Sequence, residues 1–298
     1  SQVAPIGALH AADPAASKAR ADATVREKSQ RLMFVDLLRL LAAFQMMHGH
    51  TLDALLAQDL RSGPIFEAWS WQRGLVSVGF LFAAGIAFTL STLVDLERFK
   101  SKPGRVPARW RRIGWLIFLG YTMHFPAEAL SSDPARAQAS LDMFLMADVL
   151  QCIGVSIGIV QLMAQFAKKA RTVVIGAGLL AVGFVAMAPL ADAVPYDHWG
   201  RPLANYLTHR GGSLFPLFPW SGFVMAGVSL TFLVAPQGAK TDPWVPVPRL
   251  LGLAALLFGV HVLAKASPWT FVTDATTSHS VPHFAILKLA AVVGVVVV

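Results

Sequence analysis

Charge is scarce in this chain. Only 14% of its 298 residues are Asp, Glu, Lys or Arg, where a soluble domain carries roughly 25%. Cysteine is almost absent: Cys152 stands alone, which excludes a disulfide framework and a thiolate metal centre. There is no P-loop, no dinucleotide fingerprint and no cluster of metal-ligand residues. His48 and His50 are two residues apart, point to different faces of a helix and make a poor metal pair. Residues 1–30 lack the apolar core and cleavage site of a signal peptide. They are polar, charged and Ala-rich, and read as a cytoplasmic N-terminal arm. No repeat is visible, and no loop is long enough for a soluble domain.

Apolar surface is what the chain has in quantity. It is 55% hydrophobic, with a mean hydropathy of +0.56. Apolar stretches of about 17 to 25 residues recur, the length a helix needs to cross about 30 Å of hydrocarbon. Their apolar residues are continuous rather than alternating, which favours helices over a transmembrane barrel. The expected fold is therefore all-α: a polytopic transmembrane helical bundle of about eight spans. These fall near 34–56, 74–94, 112–130, 142–166, 172–191, 214–235, 249–266 and 283–298. The closing VVGVVVV has no flanking charge, so the domain that starts at residue 31 is expected to continue beyond residue 298.

The net charge of +8 does not signal nucleic acid, because the basic residues sort by loop. Seventeen of the 25 Lys and Arg lie in the N-terminal arm and after the even-numbered spans; six lie on the opposite side. That bias places the N-terminus in the cytoplasm. Short loops and a compact chain suit a bacterial inner (plasma) membrane.

The first span, FVDLLRLLAAFQMMHGHTLDALL, holds Asp36, Arg39, His48, His50 and Asp53. Ionisable groups at bilayer depth are expensive and mark a functional site by default. Eleven steps of about 100° bring His50 to within about 20° of Arg39 on the wheel, roughly 16 Å further along the axis. His48 falls on the opposite face. A histidine near its ordinary pKa suits general-base work. Asp53, one turn beyond His50, is placed to orient its imidazole. Asp36 and Arg39 at i, i+3 also suit simple mutual neutralisation.

Asp148 and Gln151 share a face of the fourth span and should point into the bundle; a plain interhelical hydrogen bond explains them equally well. His124 and His261 are isolated and read as structural. Lys288 stands out inside the last apolar run, although snorkelling would also account for it. Arg111 and Arg112 belong to a basic segment, 95–112, suited to phosphates or anionic lipid, although the orientation rule alone accounts for such a segment.

Asp36, Arg39 and His50 resemble the opening of the membrane-bound acyltransferase-3 family, an aspartate followed by an arginine and then a histidine. ADVLQCIGV (147–155), LFPLFPWSGFVMAGV (214–228) and GFLFAAGIAF (79–88) are similar to segments of the heparan-α-glucosaminide N-acetyltransferase-like membrane proteins. Three departures stand out. Leu40 replaces a glycine, Cys152 replaces an arginine, and the loop 57–73 has no histidine. The resemblance implies a membrane acyltransferase that moves an acetyl group from cytoplasmic acetyl-CoA to a glycan-like acceptor at the opposite face. With the reading of the residues above, the candidate catalytic residues are His50, Arg39, Asp36 and Asp53, and the candidate binding residues are Asp148, Gln151, His48, Arg111 and Arg112. No metal is called for. Membrane lipid and a homo-oligomer or larger membrane complex are the expected partners. A non-catalytic subunit built on the same scaffold, or a small-molecule transporter, remains the alternative.

Overall fold

A computed structural model describes residues 40–193, 195, 200–234, 247–266 and 282–295. Asp36, Arg39 and the arm 1–30 lie outside the described residues. Every regular element among the described residues is helical.

Glycine, proline and aspartate set the helix starts. α1 occupies 40–55. Gly63, at φ 89°, turns the chain into α2 (Pro64–Phe88), where a first-turn proline lacks only an N–H that would have had no helical partner. α2 runs on through a π-helical stretch, Thr89–Leu93. The Asp95 carboxylate accepts from the Arg98 N–H at 3.2 Å and opens α3 (Leu96–Ser101). Gly104, left-handed at φ 81°, leads into α4 (Arg105–Met123). Asp133 accepts from the Ala135 N–H at 2.9 Å and caps α5 (Pro134–Phe144). Then come α6 (Val149–Phe166), α7 (Ala170–Ala186), α8 (Ala188–Ala193), α9 (Arg201–Leu207), a 3-10 turn (His209–Gly211), α10 (Leu217–Val234), α11 (Val247–Lys265) and α12 (Pro282–Val295).

α10 is the central element. It is apolar all round, as a fully buried helix should be, and it packs against α7, α2 and α6. Phe223, Val224, Met225 and Val228 are sealed from solvent, as are Leu81, Phe82 and Ile86 of α2. The α2–α10 crossing is a backbone contact. A Cβ on Gly85 would overlap the Val224 carbonyl, and one on Gly227 would overlap the Phe82 carbonyl. Small residues permit such approaches where dispersion and hydrogen bonds, rather than expulsion of water, join helices. Thr89 Oγ1 donates to the Val228 carbonyl at 3.3 Å, and Ser156 Oγ to Ser221 Oγ at 2.8 Å.

The periphery is apolar as well. Trp115, Leu179, Leu256 and Leu263 are each more than 60% exposed, a surface matched to lipid rather than water. Three helical stretches are long and apolar enough to cross a membrane: Pro64–Leu93, Pro134–Phe166 and Pro248–Lys265. Ala170–Ala186, Leu217–Leu233 and Pro282–Gly294 are shorter apolar helices.

Two expected boundaries are corrected. The fourth span is not one continuous helix, because the chain leaves helical geometry between Phe144 and Val149. α4 starts at Arg105 rather than near 112. Hydropathy hides its first turns, although arginine is a good helix former.

Candidate functional site

The break between α5 and α6 gathers polar groups from four elements. Its freed backbone groups are satisfied locally, as buried peptide groups require. Asn205 Nδ2 donates to the Leu145 carbonyl at 3.0 Å, the Ala147 N–H donates to Ser213 Oγ at 3.0 Å, and the Phe215 N–H donates to the Ala147 carbonyl at 3.0 Å. We call this the junction end of the bundle.

Asp148 caps the start of α6 rather than lying within a helix: its Oδ1 accepts from the Val149 N–H at 2.6 Å. Its Oδ2 lies 3.8 Å from Nε2 of His124, at the end of α4. His124 Nδ1 lies 3.3 Å from the Gly120 carbonyl, which can only accept and so holds the proton on Nδ1. Nε2 faces the Asp148 carboxylate across the α4–α6 contact.

Gln151 is fully buried one turn further along α6, its amide pressed against Gly120 of α4. Neither Oε1 nor Nε2 has a hydrogen-bond partner among the described residues, a costly arrangement for a native interior. The Tyr121 and Tyr206 hydroxyls share a 2.9 Å hydrogen bond nearby. Burial, and then Tyr121, push the Tyr206 phenol well above its ordinary pKa.

A second cluster joins the same end. Asp192 Oδ1 accepts from Thr208 Oγ1 at 2.6 Å, and Asp192 Oδ2 lies 4.0 Å from His209 Nδ1. Trp220 Nε1 donates to His209 Nε2 at 3.1 Å. Accepting that bond requires an unprotonated Nε2, and burial lowers the His209 pKa despite the opposing field of Asp192. Lys288 does not snorkel. It is 4% exposed, with Nζ 4.5 Å from the Phe284 ring centre and 5.7 Å from that of Trp220, an aromatic cradle for an ammonium. Gly74 of α2 leaves room for it.

In α1, His48 and His50 are both exposed. His48 stands edge-on to Trp69 at 6.4 Å. The Asp53 carboxylate, expected to orient His50, pairs with Arg73 of α2. The Arg73 guanidinium lies 5.3 Å over Trp69, and its stem packs on Gly49.

The opposite, arginine end holds a cavity of about 290 Å³ lined by Ser91, Phe99, Arg105, Ala108, Arg109 and Arg112. Arg105, Ala108, Arg109 and Arg112 recur at i, i+3, i+4 and i+7, so they form one face of α4. Arg111 is exposed and falls outside that lining. Arg109 Nη2 donates to Ser91 Oγ at 2.9 Å and Thr92 Oγ1 at 2.8 Å, and its guanidinium lies 5.3 Å over Phe88.

The structure thus brings Asp148 and Gln151 together with His124. It places Arg112 with Arg105 and Arg109, and pairs Asp53 with Arg73. The sequence reading missed the roles of His124, Arg73 and the tyrosine pair, which follow only from contacts between distant segments. It also missed the Arg105–Arg109–Arg112 face, whose helical spacing was visible.

An integral membrane protein, helical throughout its described regular elements, with a buried polar cluster at one end and an arginine-lined cavity at the other, is the class these features define. A family model described as heparan-alpha-glucosaminide N-acetyltransferase, catalytic, matches residues 31–264, and the chain belongs to that family. No curated protein and no solved structure matches the chain significantly.

Proposed function

We propose that the protein moves an acetyl group from cytoplasmic acetyl-CoA to a glycan-like acceptor at the opposite membrane face. The family match over residues 31–264, which includes the first span with its Asp36, Arg39 and His50, carries this reading. The chain is taken to run from a cytoplasmic arm, 1–30, into an eight-span acyltransferase domain from residue 31, in a bacterial inner membrane. The distribution of Lys and Arg supports that orientation. It assigns the junction end to the acceptor's side and the arginine end to the cytoplasm.

His50 takes the acceptor's proton as the nucleophilic oxygen or nitrogen attacks the thioester carbonyl. The tetrahedral intermediate then collapses and expels the CoA thiolate, which collects a proton. Arg39 and Asp36 position the donor. Asp53 acts through Arg73 in fixing the end of α1. Asp148 and Gln151 line the transfer path, His48 the acceptor side, and Arg111 and Arg112 the donor's approach.

The test is the thermal stability of the purified protein with and without acetyl-CoA, beside Arg39→Ala, followed by acetyl transfer with His50→Ala. A ligand at 100 times its Kd stabilises the folded state by about 2.7 kcal/mol. Stabilisation by acetyl-CoA that is lost in Arg39→Ala, with transfer abolished in a folded His50→Ala, is expected. No shift at millimolar acetyl-CoA would remove the donor and favour a non-catalytic subunit or a transporter. Full turnover in His50→Ala would reassign the base.

A further inference from the structure

The cavity at the arginine end collects three guanidiniums with no carboxylate in its lining. Like charges gathered in a concavity repel one another and are stabilised by an anion. An orientation signal needs only basic residues on the right side of the membrane. It does not need them on one face of one helix around a cavity.

Arg109 is the fixed member. Its Nη2 is held by Ser91 and Thr92 of the π-helical stretch, and its plane rests on Phe88 and Phe99, at 5.3 and 5.7 Å. Its Nε and Nη1 donate to no protein acceptor among the described residues. Arg105 and Arg112, on either side of it along α4, are exposed and engage no carboxylate among the described residues. One preorganised fork between two free ones suits a ligand with more than one phosphate. At about 290 Å³ the cavity is near the lower end of ligand sites. It has room for phosphate groups and part of what they are attached to.

We propose that this cavity is the phosphate-recognition site of the acyl donor, with Arg105 and Arg112 gripping the phosphorylated end of acetyl-CoA around a fixed Arg109. The proposal rests on the acetyl-CoA reading above and adds where the donor is held. The geometry sets the reach required. From Arg112 to Gly120, where the Gln151 amide packs, α4 advances eight residues, about 12 Å. A donor anchored by its phosphates needs an arm of at least that length to bring its thioester beside the buried amide.

The experiment compares the full chain with Arg105→Ala/Arg112→Ala, both exposed positions, and leaves Arg109 intact so that the π-helical stretch keeps its brace. Affinities for acetyl-CoA, acetyl-dephospho-CoA and phosphate-free acetyl-pantetheine are measured in nanodiscs of neutral and of anionic lipid. The expected result is a loss of ten-fold or more in acetyl-CoA affinity, a smaller loss with the dephospho form and none with acetyl-pantetheine, in both lipids. An unchanged affinity for acetyl-CoA, or an equal loss with acetyl-pantetheine, overturns the proposal. So does an effect confined to anionic nanodiscs, which would make the cavity a lipid-headgroup site. Failure of the wild-type protein to bind acetyl-CoA is a separate outcome. It overturns the donor reading itself, and the proposal with it.

Discussion

His124 and Asp148 meet across the α4–α6 interface, Nε2 to Oδ2, at 3.8 Å. Nδ1 of the same ring lies 3.3 Å from the Gly120 carbonyl, so the imidazole is held from both sides. Asp148→Asn keeps an oxygen for the Val149 cap and removes the anion. Its melting temperature is therefore expected to stay close to that of wild type, while acetyl transfer falls by about 10² if the carboxylate takes part in turnover. Unchanged turnover in a folded Asp148→Asn variant would leave the pair a structural clasp.

The α2–α10 crossing tolerates no side chain at its closest points. Gly85→Ala or Gly227→Ala drives a Cβ into a facing backbone carbonyl, and backbone cannot yield as a flexible side chain does. Each variant is expected to lose about 3 kcal/mol, the upper part of the usual overpacking range, measured as a lowered melting temperature in detergent. Gly183→Ala, where a Cβ meets nothing within 4 Å, serves as the control and should melt like wild type.

Asp53 and Arg73 are both 43% exposed, so their ion pair is well solvated. Asp53→Asn is expected to cost no more than about 1 kcal/mol of stability. A fall in transfer well beyond what that loss explains would mark Asp53 as a positioning residue for α1. Equal, small changes in both would make the pair an ordinary surface contact.

His209 is held neutral because Nε2 accepts from Trp220. Burial lowers its pKa in the folded state below the ordinary value of 6.5, so the unfolded chain binds the proton more readily. Its contribution to stability is complete above pH 6.5 and is lost as the pH falls through the folded-state pKa. Melting curves at pH 7.5 and 5.5 should show a drop that shrinks in His209→Gln, whose amide oxygen still accepts from the indole. An identical drop in both proteins would assign the acid sensitivity elsewhere.

Cys152 is the single thiol and is completely buried against Ser221. Thiol-reactive maleimide should leave the folded protein unlabelled and react stoichiometrically on unfolding. The reaction therefore doubles as a melting assay for every variant above. Rapid labelling under native conditions would contradict the packing of α6 on α10.

Much of the helical layout was legible because apolar runs report burial, whether in protein or lipid. Hydropathy could not see the break at 145–148. The flanking Leu145, Met146 and Ala147 are as apolar as a helix interior, and only the cap made by Asp148 reveals the interruption. The sequence left open whether Lys288 snorkels, because its partners, Phe284 excepted, come from helices far away in sequence. The aromatic ring of Trp220 and the gap at Gly74 cannot be inferred from its neighbours. His124 looked isolated for the same reason. Arg109 was hidden differently, since seven basic residues between 98 and 112 satisfy the orientation rule, and that sufficiency masked their helical spacing.

The reciprocal seating of Gly85 and Gly227 bears on how anything could cross this molecule. Alternating-access carriers rock one group of helices against another about a mobile interface. Here the innermost pair is joined main chain to main chain, and a shear of even one residue would drive side chains into carbonyls on both partners. The centre of the bundle is thus a seam of main chain on main chain, and any displacement of α2 has to carry α10 with it.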